Sequence, residues 1–278
     1  MQRLLQLLFS LIFIMFTTTS LFAQQVNVMT YNIRYDTPAD SVNQWGKRTA
    51  RVYALIRKYD PDIIGVQEAM HNQITDLVSN LKDYAYVGVG RDDGKTKGEF
   101  STILYKKDKY TITRKGTFWL SPTPTVAGSK GWDAAITRVA TWTIMKDKQS
   151  GGSFFVLNTH FDHIGKEARR ESALLVKKRG AELAGNLPVI VTGDFNCKRE
   201  EPPYAAIMSN DGLQLLDPAP SPAPGTFCSF KVNSIACEPI DYVFHSSQWK
   251  ASGYKVITDN DGKYYPSDHL PVIVQLSR

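Results

Sequence analysis

Residues 188–197 read Pro188-Val189-Ile190-Val191-Thr192-Gly193-Asp194-Phe195-Asn196-Cys197. The β-branched run over residues 188–192 is of the kind that forms a short strand buried on both faces. Asp194 and Asn196 follow immediately, two residues apart, so their side chains project to the same side where the strand leaves its sheet. Sheet proteins that also carry helices place their sites in such loops at strand ends.

The arrangement recurs outward from this stretch. Residues 26–33 read as a strand carrying Asn32 near its end, and residues 61–66 as a strand followed by Glu68. Residues 154–158 form another, with Asn158, His160 and Asp162 at its close. Asp268 and His269 open a last strand over residues 270–276. A single Asn or Asp after a strand is most often a turn residue making a local hydrogen bond. Its repetition at strand after strand points to convergence in one cleft.

Further strands are expected at residues 101–105, 136–145 and 240–244. Val52, Leu55, Ile56 and Tyr59 recur at helical spacing, as do Ile74, Leu77, Val78 and Leu81, which predicts two amphipathic helices. A third helix is expected over Lys166–Ala184 from length and composition, since its apolar periodicity is poor. The class that follows is strand-rich α/β, with helices outside two packed sheets.

At the N-terminus Arg3 precedes an apolar run over residues 4–16 and a small polar stretch over residues 17–20. That is the layout of a signal peptide, too short to span a bilayer, with Ala23 before Gln24 as the expected cut. An uncleaved anchor is the alternative. The mature chain of about 255 residues suits one domain over residues 24–278, as no linker, repeat or low-complexity block divides it. It is expected to be periplasmic or secreted, without a membrane span after cleavage, and monomeric.

The formal net charge of +6 is spread along the chain, which tolerates a phosphate-bearing substrate without demonstrating one. Of the three cysteines, export would allow a Cys228–Cys237 disulfide across a short loop, leaving Cys197 as a packed thiol.

Met29-Thr30-Tyr31-Asn32-Ile33-Arg34, Gln67-Glu68, Asn158-Thr159-His160-Phe161-Asp162-His163, Gly193-Asp194-Phe195-Asn196, Ile240-Asp241-Tyr242-Val243 and Ser267-Asp268-His269-Leu270-Pro271-Val272 follow one another in this order. The series resembles the motifs of the endonuclease/exonuclease/phosphatase superfamily. The resemblance implies a four-layer α/β/β/α sandwich, two packed mixed sheets flanked by helices, and a metal-dependent hydrolase of phosphate esters. It places Glu68, Asn32 and Asp268 at a Mg²⁺ site, which Mn²⁺ can also fill. An oxygen-rich set suits Mg²⁺, whereas zinc calls for His and Cys at closer spacing.

By the same resemblance Asp241 orients His269, which serves as general base or as a phosphate contact. Asp194 and Asn196 align the attacking water, or Asp194 is itself the base. His160 pairs with Glu99 at the phosphate or the leaving group. Arg138, with a fork suited to phosphate, and Asn158 fall on the substrate side. His71 and His245 are expected to be incidental.

Asn43-x-Trp45-x-x-Arg48, Phe118-Trp119-Leu120-Ser121, Arg138 after Trp132, and Tyr265-Pro266-Ser267-Asp268-His269 are similar to the deadenylase-like and nocturnin-like branch. The expected substrates are then nucleic acid, nucleotide or a small phosphorylated molecule. Trp45, Trp119, Trp132, Phe227 and Phe230 are candidates for a stacking surface or for the core. Two rival readings are a sphingomyelinase-like lipid phosphodiesterase and an inactive binding module. The first lacks an exposed apolar hairpin in the sequence, and the complete set of acids and histidines argues against the second.

Overall fold

The computed structural model describes residues 24–278, so the leader expected over residues 1–23 lies outside them. One sheet holds β1 (Gln25–Asn32), β2 (Ile63–Ala69), β3 (Tyr84–Val87), β4 (Phe100–Lys106), β10 (Lys250–Val256) and β11 (Val272–Ser277), in the order β10-β11-β1-β2-β4-β3. The other holds β5 (Tyr110–Trp119), β6 (Val139–Asp147), β7 (Ser153–His160), β8 (Val189–Asp194) and β9 (Asp241–His245), in that order. The helices are α1 (Trp45–Tyr59), α2 (His71–Asn80), α3 (Lys166–Ala184) and α4 (Pro202–Met208).

Each sheet contains one parallel pair, β1 with β2 and β7 with β8, and the other pairings are antiparallel. Parallel neighbours need a crossover, which α1 supplies in the first sheet and α3 in the second. Because the strands of a pair run the same way, Asn32 lies in register with Gln67, and His160 with Asp194. Polar groups at the ends of these strands are therefore delivered to one edge of each sheet.

Three apolar layers separate the elements. Val28, Ile63, Ile103, Phe154, Val156, Ile190 and Val274 fill the space between the sheets. Met29, Tyr31, Val52, Ile56, Ile74 and Leu77 fill the space beneath α1 and α2, and Leu157, Val191, Phe195, Ala173, Val176 and Ile207 that beneath α3 and α4. Three cores between helices, sheet, sheet and helices make the four-layer sandwich expected from the motifs.

Near the site the inter-sheet layer turns polar. Asn158 Nδ2 donates to Val66 O at 2.9 Å and Thr102 O at 2.8 Å, while its Oδ1 accepts from Gln67 and Thr192. A Cβ at Gly65 would sit 2.0 Å from Thr192 Oγ1, so the backbone needs glycine for this close approach.

Helix α3 has the expected bounds. Strands β3, β5 and β10 were not expected. β3 and β10 lie at the edges of the first sheet and β5 at an edge of the second, and β5 and β10 carry Thr, Lys, Arg and Ser rather than an apolar run. The strand expected from residue 136 begins at Val139, because Ile136 N instead donates to Asp162 Oδ2 at 3.2 Å. Helix α4, begun by a proline at its first turn, was also unforeseen. Cys228 and Cys237 are joined by a disulfide, and Cys197 is a buried free thiol whose pKa burial pushes up to about 12.

Candidate active site

The end of β8 sets the first corner of the site. Asn196 has φ 46°, a left-handed conformation that asparagine tolerates better than most residues. The turn lets Asn196 N donate to Asp194 Oδ1 at 2.9 Å, and Asn196 Nδ2 donate to Phe161 O at 3.0 Å. The same amide nitrogen lies 3.1 Å from His160 Nε2, at the end of β7. Burial, with Arg138 and Arg91 nearby, pushes His160 well below the usual imidazole value, so its neutral ring can accept that bond.

The second corner comes from the first sheet. The β2–β4 register slips between Val66 and Ala69, and Glu68 takes φ 63° there, turning its carboxylate into the cleft. Asn32 Nδ2 donates to Glu68 Oε1 and to Asp194 Oδ2, each at 3.0 Å. One amide thus joins acids from two sheets. Its oxygen accepts from Arg34 N at 2.9 Å, and Tyr35 N donates to Glu68 Oε2 at 3.1 Å.

His269 completes the triangle. Its Nε2 lies 3.7 Å from Asp194 Oδ2, and its Nδ1 lies 2.9 Å from Asp241 Oδ2 at the start of β9. Asp241 is itself placed by Thr226 Oγ1, which accepts from the Ile240 and Asp241 amides at 3.1 and 3.2 Å. Burial disfavours a charged imidazole, but Asp241 and Asp194 outweigh it and hold His269 well above its usual value. Burial and the charge of Asp241 push Asp194 up to about 7.

A cavity of about 880 Å³ opens over these groups and is walled by Arg34, Arg91 and Arg138. Arg91 Nη1 donates to Glu99 Oε2 at 2.8 Å. Arg138 is 5% exposed, its Nη2 lies 3.2 Å from His163 Nδ1 and its Nε 3.8 Å from Asp162 Oδ2, yet among the described residues its Nε and Nη1 have no hydrogen-bond partner. A buried guanidinium with free N–H groups is costly unless an anion satisfies it.

A model of the Endonuclease/Exonuclease/phosphatase family matches residues 29–269. The chain belongs to that family. A Bacteroides thetaiotaomicron protein of this family, known from its crystal structure, superimposes with a TM-score of 0.86 at 40% identity, over 92% of this chain and 98% of the other. The mannosyl-6-phosphatase Bt3783 of Bacteroides thetaiotaomicron gives 0.84 and 41%, over 90% and 99%. Drosophila melanogaster Nocturnin is 27% identical over 188 residues, 62% of this chain. The chain spans 63% of the mimivirus protein L388 and 27% of that Nocturnin, less than two thirds of these curated relatives. These homologues belong to a superfamily of phosphoesterase hydrolases.

In this family member the cleft is lined by Glu68, Glu99, Arg138, His160, Asp194, Asn196, Asp268 and His269. Asn32 and Asp241 stand directly behind, bonded to groups that line it. Asn158 does not reach it. The residue is fully buried between the sheets and its amide is consumed by the hydrogen bonds that tie them, so it cannot meet a substrate.

The expected pairing of His160 with Glu99 is also absent. Glu99 pairs with Arg91, a residue that loop position and lack of periodicity concealed, while His160 lies beside Asn196 and Asp194. Of the aromatics considered, only Phe227 lines the cleft, its ring 4.9 Å from that of His269. Trp45 and Trp119 are buried in the structure, and Phe230 lies against Arg48. Trp132 borders a separate groove with Pro122 and Leu174. His71 and His245 do not line the cleft.

The donor chemistry fits a divalent cation. Oxygen or nitrogen atoms of Glu68, His160 and Asp194 lie within 4.8 Å of one another. Glu68 and Asp268 converge on one positive group, the Arg34 guanidinium, at 3.8 and 3.9 Å. Such crowded carboxylates are stabilised in their ionised form by a hard cation, for which Glu68 and Asp268 present the cleft-facing oxygens. Asn32 enters as an amide donor between acids.

Proposed function

We propose that this protein is an exported, Mg²⁺-dependent phosphatase that removes phosphate from a sugar phosphate monoester. The observation that carries the reading is the convergence of Glu68, Asp194 and His269 through Asn32, in a cavity also lined by Arg138, whose Nη1 has no hydrogen-bond partner among the described residues. A bound Mg²⁺ would neutralise charge on the phosphoryl oxygens and on the leaving oxygen.

The chain's own groups supply the remainder. Arg138 receives the phosphoryl group with its free N–H donors. Asp194, a carboxyl poised near neutrality, takes a proton from water as the water attacks phosphorus in line. His269, kept protonated by Asp241, donates to a phosphoryl oxygen as charge builds there, and Asn196 aligns the water. The P–O bond to the sugar breaks, and the proton that Asp194 took from the attacking water passes through solvent to the leaving oxygen, which departs as the alcohol.

The outer wall favours a small substrate. The same cavity is lined by Glu201, Phe227, Ile240 and the Lys198–Glu238 ion pair at 2.6 Å, so carboxylates share its wall with the cations. A polyanion would meet carboxylates there. The 41% identity with a mannosyl-6-phosphatase over nearly all of that chain supports the same class.

The test is release of inorganic phosphate from mannose 6-phosphate and glucose 6-phosphate with Mg²⁺, beside bis(p-nitrophenyl) phosphate and an oligonucleotide. The reading requires the sugar phosphates to lead in kcat/KM. Preference for the oligonucleotide or the diester overturns it.

A further inference from the structure

Arg48 sits on α1, fully buried, and among the described residues it has no carboxylate within ion-pair distance. Its donors go to carbonyls instead. Nη2 donates to Arg34 O at 2.6 Å, Nε to Asn43 O at 2.8 Å, and Nη1 to both Ile33 O and Pro266 O. Trp45 and Phe230 cover the guanidinium, with ring centroids 5.0 and 5.4 Å from its carbon.

The positions of these carbonyls matter. Ile33 and Arg34 directly follow Asn32, which clamps Glu68 and Asp194. Pro266 directly precedes Ser267-Asp268-His269. One side chain therefore ties the exit of β1 to the segment that carries an acid and the histidine of the site. Ser267 Oγ makes a second tie between the same segments, donating to Asn32 O at 2.8 Å.

Burying a charge without a counter-ion is expensive, and packing alone would be served as well by an apolar residue of similar size. What an apolar residue cannot do is bond carbonyls of two segments at once. A lysine carries its charge at one point, whereas the planar fork of arginine reaches several acceptors at fixed angles. We infer that Arg48 is a positioning residue for the proposed phosphatase reaction, fixing Asn32, Asp268 and His269 relative to Glu68.

The inference rests on the metal-dependent reading above and predicts a separation of effects. Arg48 meets the cavity wall through the backbone carbonyl of Arg34 and makes no hydrogen bond to Arg138, so substrate capture by Arg138 should persist while the metal and water geometry loosens. Displacement of a catalytic constellation by about 1 Å can cost 10²-fold in rate.

The experiment compares wild-type protein, Arg48→Lys and Ser267→Ala. It measures thermal unfolding by circular dichroism, kcat and KM on the best phosphate monoester, and the Mg²⁺ dissociation constant by calorimetry without substrate. For Arg48→Lys a cooperative unfolding transition, KM within about threefold, kcat lower by about 10²-fold and at least tenfold weaker Mg²⁺ binding are expected. A folded Arg48→Lys protein with wild-type kcat and Mg²⁺ affinity overturns the inference. Should that variant fail to fold, Ser267→Ala decides: the same selective losses, smaller in size, support a positioning link, and unchanged kcat and Mg²⁺ affinity reject it. Wild-type protein that binds Mg²⁺ but turns over no monoester would sink the phosphatase reading alone, and the calorimetric comparison would still judge Arg48.

Discussion

His269 Nδ1 and Asp241 Oδ2 lie 2.9 Å apart, both buried, one at the mouth of β11 and the other at the start of β9 in the opposite sheet. The carboxylate fixes the ring so that Nε2 faces Asp194 and the cleft. His269→Ala and Asp241→Asn should each lower kcat by about 10²–10⁴-fold, the range for positioned acid–base groups. The double variant should be little worse than His269→Ala, because residues that act as a unit are not additive. Additive losses in the cycle would separate the pair.

Asp194→Asn keeps the shape of the side chain and removes the carboxyl poised near neutrality. kcat should fall by about 10²–10⁴-fold. Stability should move the other way in metal-free protein. A carboxyl raised to about 7 when folded, against about 3.9 unfolded, holds its proton more tightly in the native state. Its contribution to stability is present below about pH 4 and is lost as pH rises to about 7. In EDTA, the melting temperature of Asp194→Asn should exceed that of wild type at pH 8, with the gap closing toward pH 4. A lower melting temperature at pH 8 with kcat intact would mark Asp194 as a structural turn residue.

Glu68 is placed at a bulge in a left-handed conformation, its oxygens engaged by Asn32 and Tyr35 N yet open to the cleft. EDTA should abolish turnover of wild-type enzyme, and Mg²⁺ or Mn²⁺ should restore it. Glu68→Gln should raise the Mg²⁺ concentration for half-maximal rate by about 10–100-fold, as losing support for a metal site commonly does. Full turnover in excess EDTA would refute metal dependence.

Among the described residues Arg138 Nε and Nη1 have no hydrogen-bond partner, and Nε lies 3.8 Å from Asp162 Oδ2. Charge-assisted hydrogen bonds to phosphate are worth about 1.5–3 kcal/mol, so Arg138→Ala should raise KM by about 10–100-fold. Arg138→Lys should recover only part of this, since a point charge cannot reproduce the fork. Steady-state kinetics on a sugar phosphate read both, and a KM unmoved by Arg138→Ala would remove it from the phosphate pocket.

The strand ends were legible because a short β-branched run followed by acid, amide or histidine is a local pattern. Val189–Asp194 with Asn196, and residues 154–160 with His160, show it without any contact being known. The motif order also fixed the four-layer class, and length with composition was enough to bound α3. Local sequence failed at the edge strands: β10 buries little on either face, so its residues carry no alternation to read.

Which polar residues face the cleft was decided by tertiary structure alone. Asn158 and His160 are two residues apart on one strand, yet the first binds across the sheets and the second opens on the cavity. Gly65 lets the sheets close on Asn158, while the end of β7 lies beyond that contact. Arg91 and Glu99 met each other rather than His160 because a loop folded back on itself, with Arg91 N donating to Glu99 O at 3.1 Å. Arg48 stood out in the sequence as part of Asn43-x-Trp45-x-x-Arg48, but nothing local said what it binds. The carbonyls it binds lie 5 to 218 positions away in the chain, brought to one guanidinium by the packing of α1 on the sheet. Side-chain type and strand position are written locally, but the partner of a buried polar group depends on which segments meet, and only the folded chain sets that.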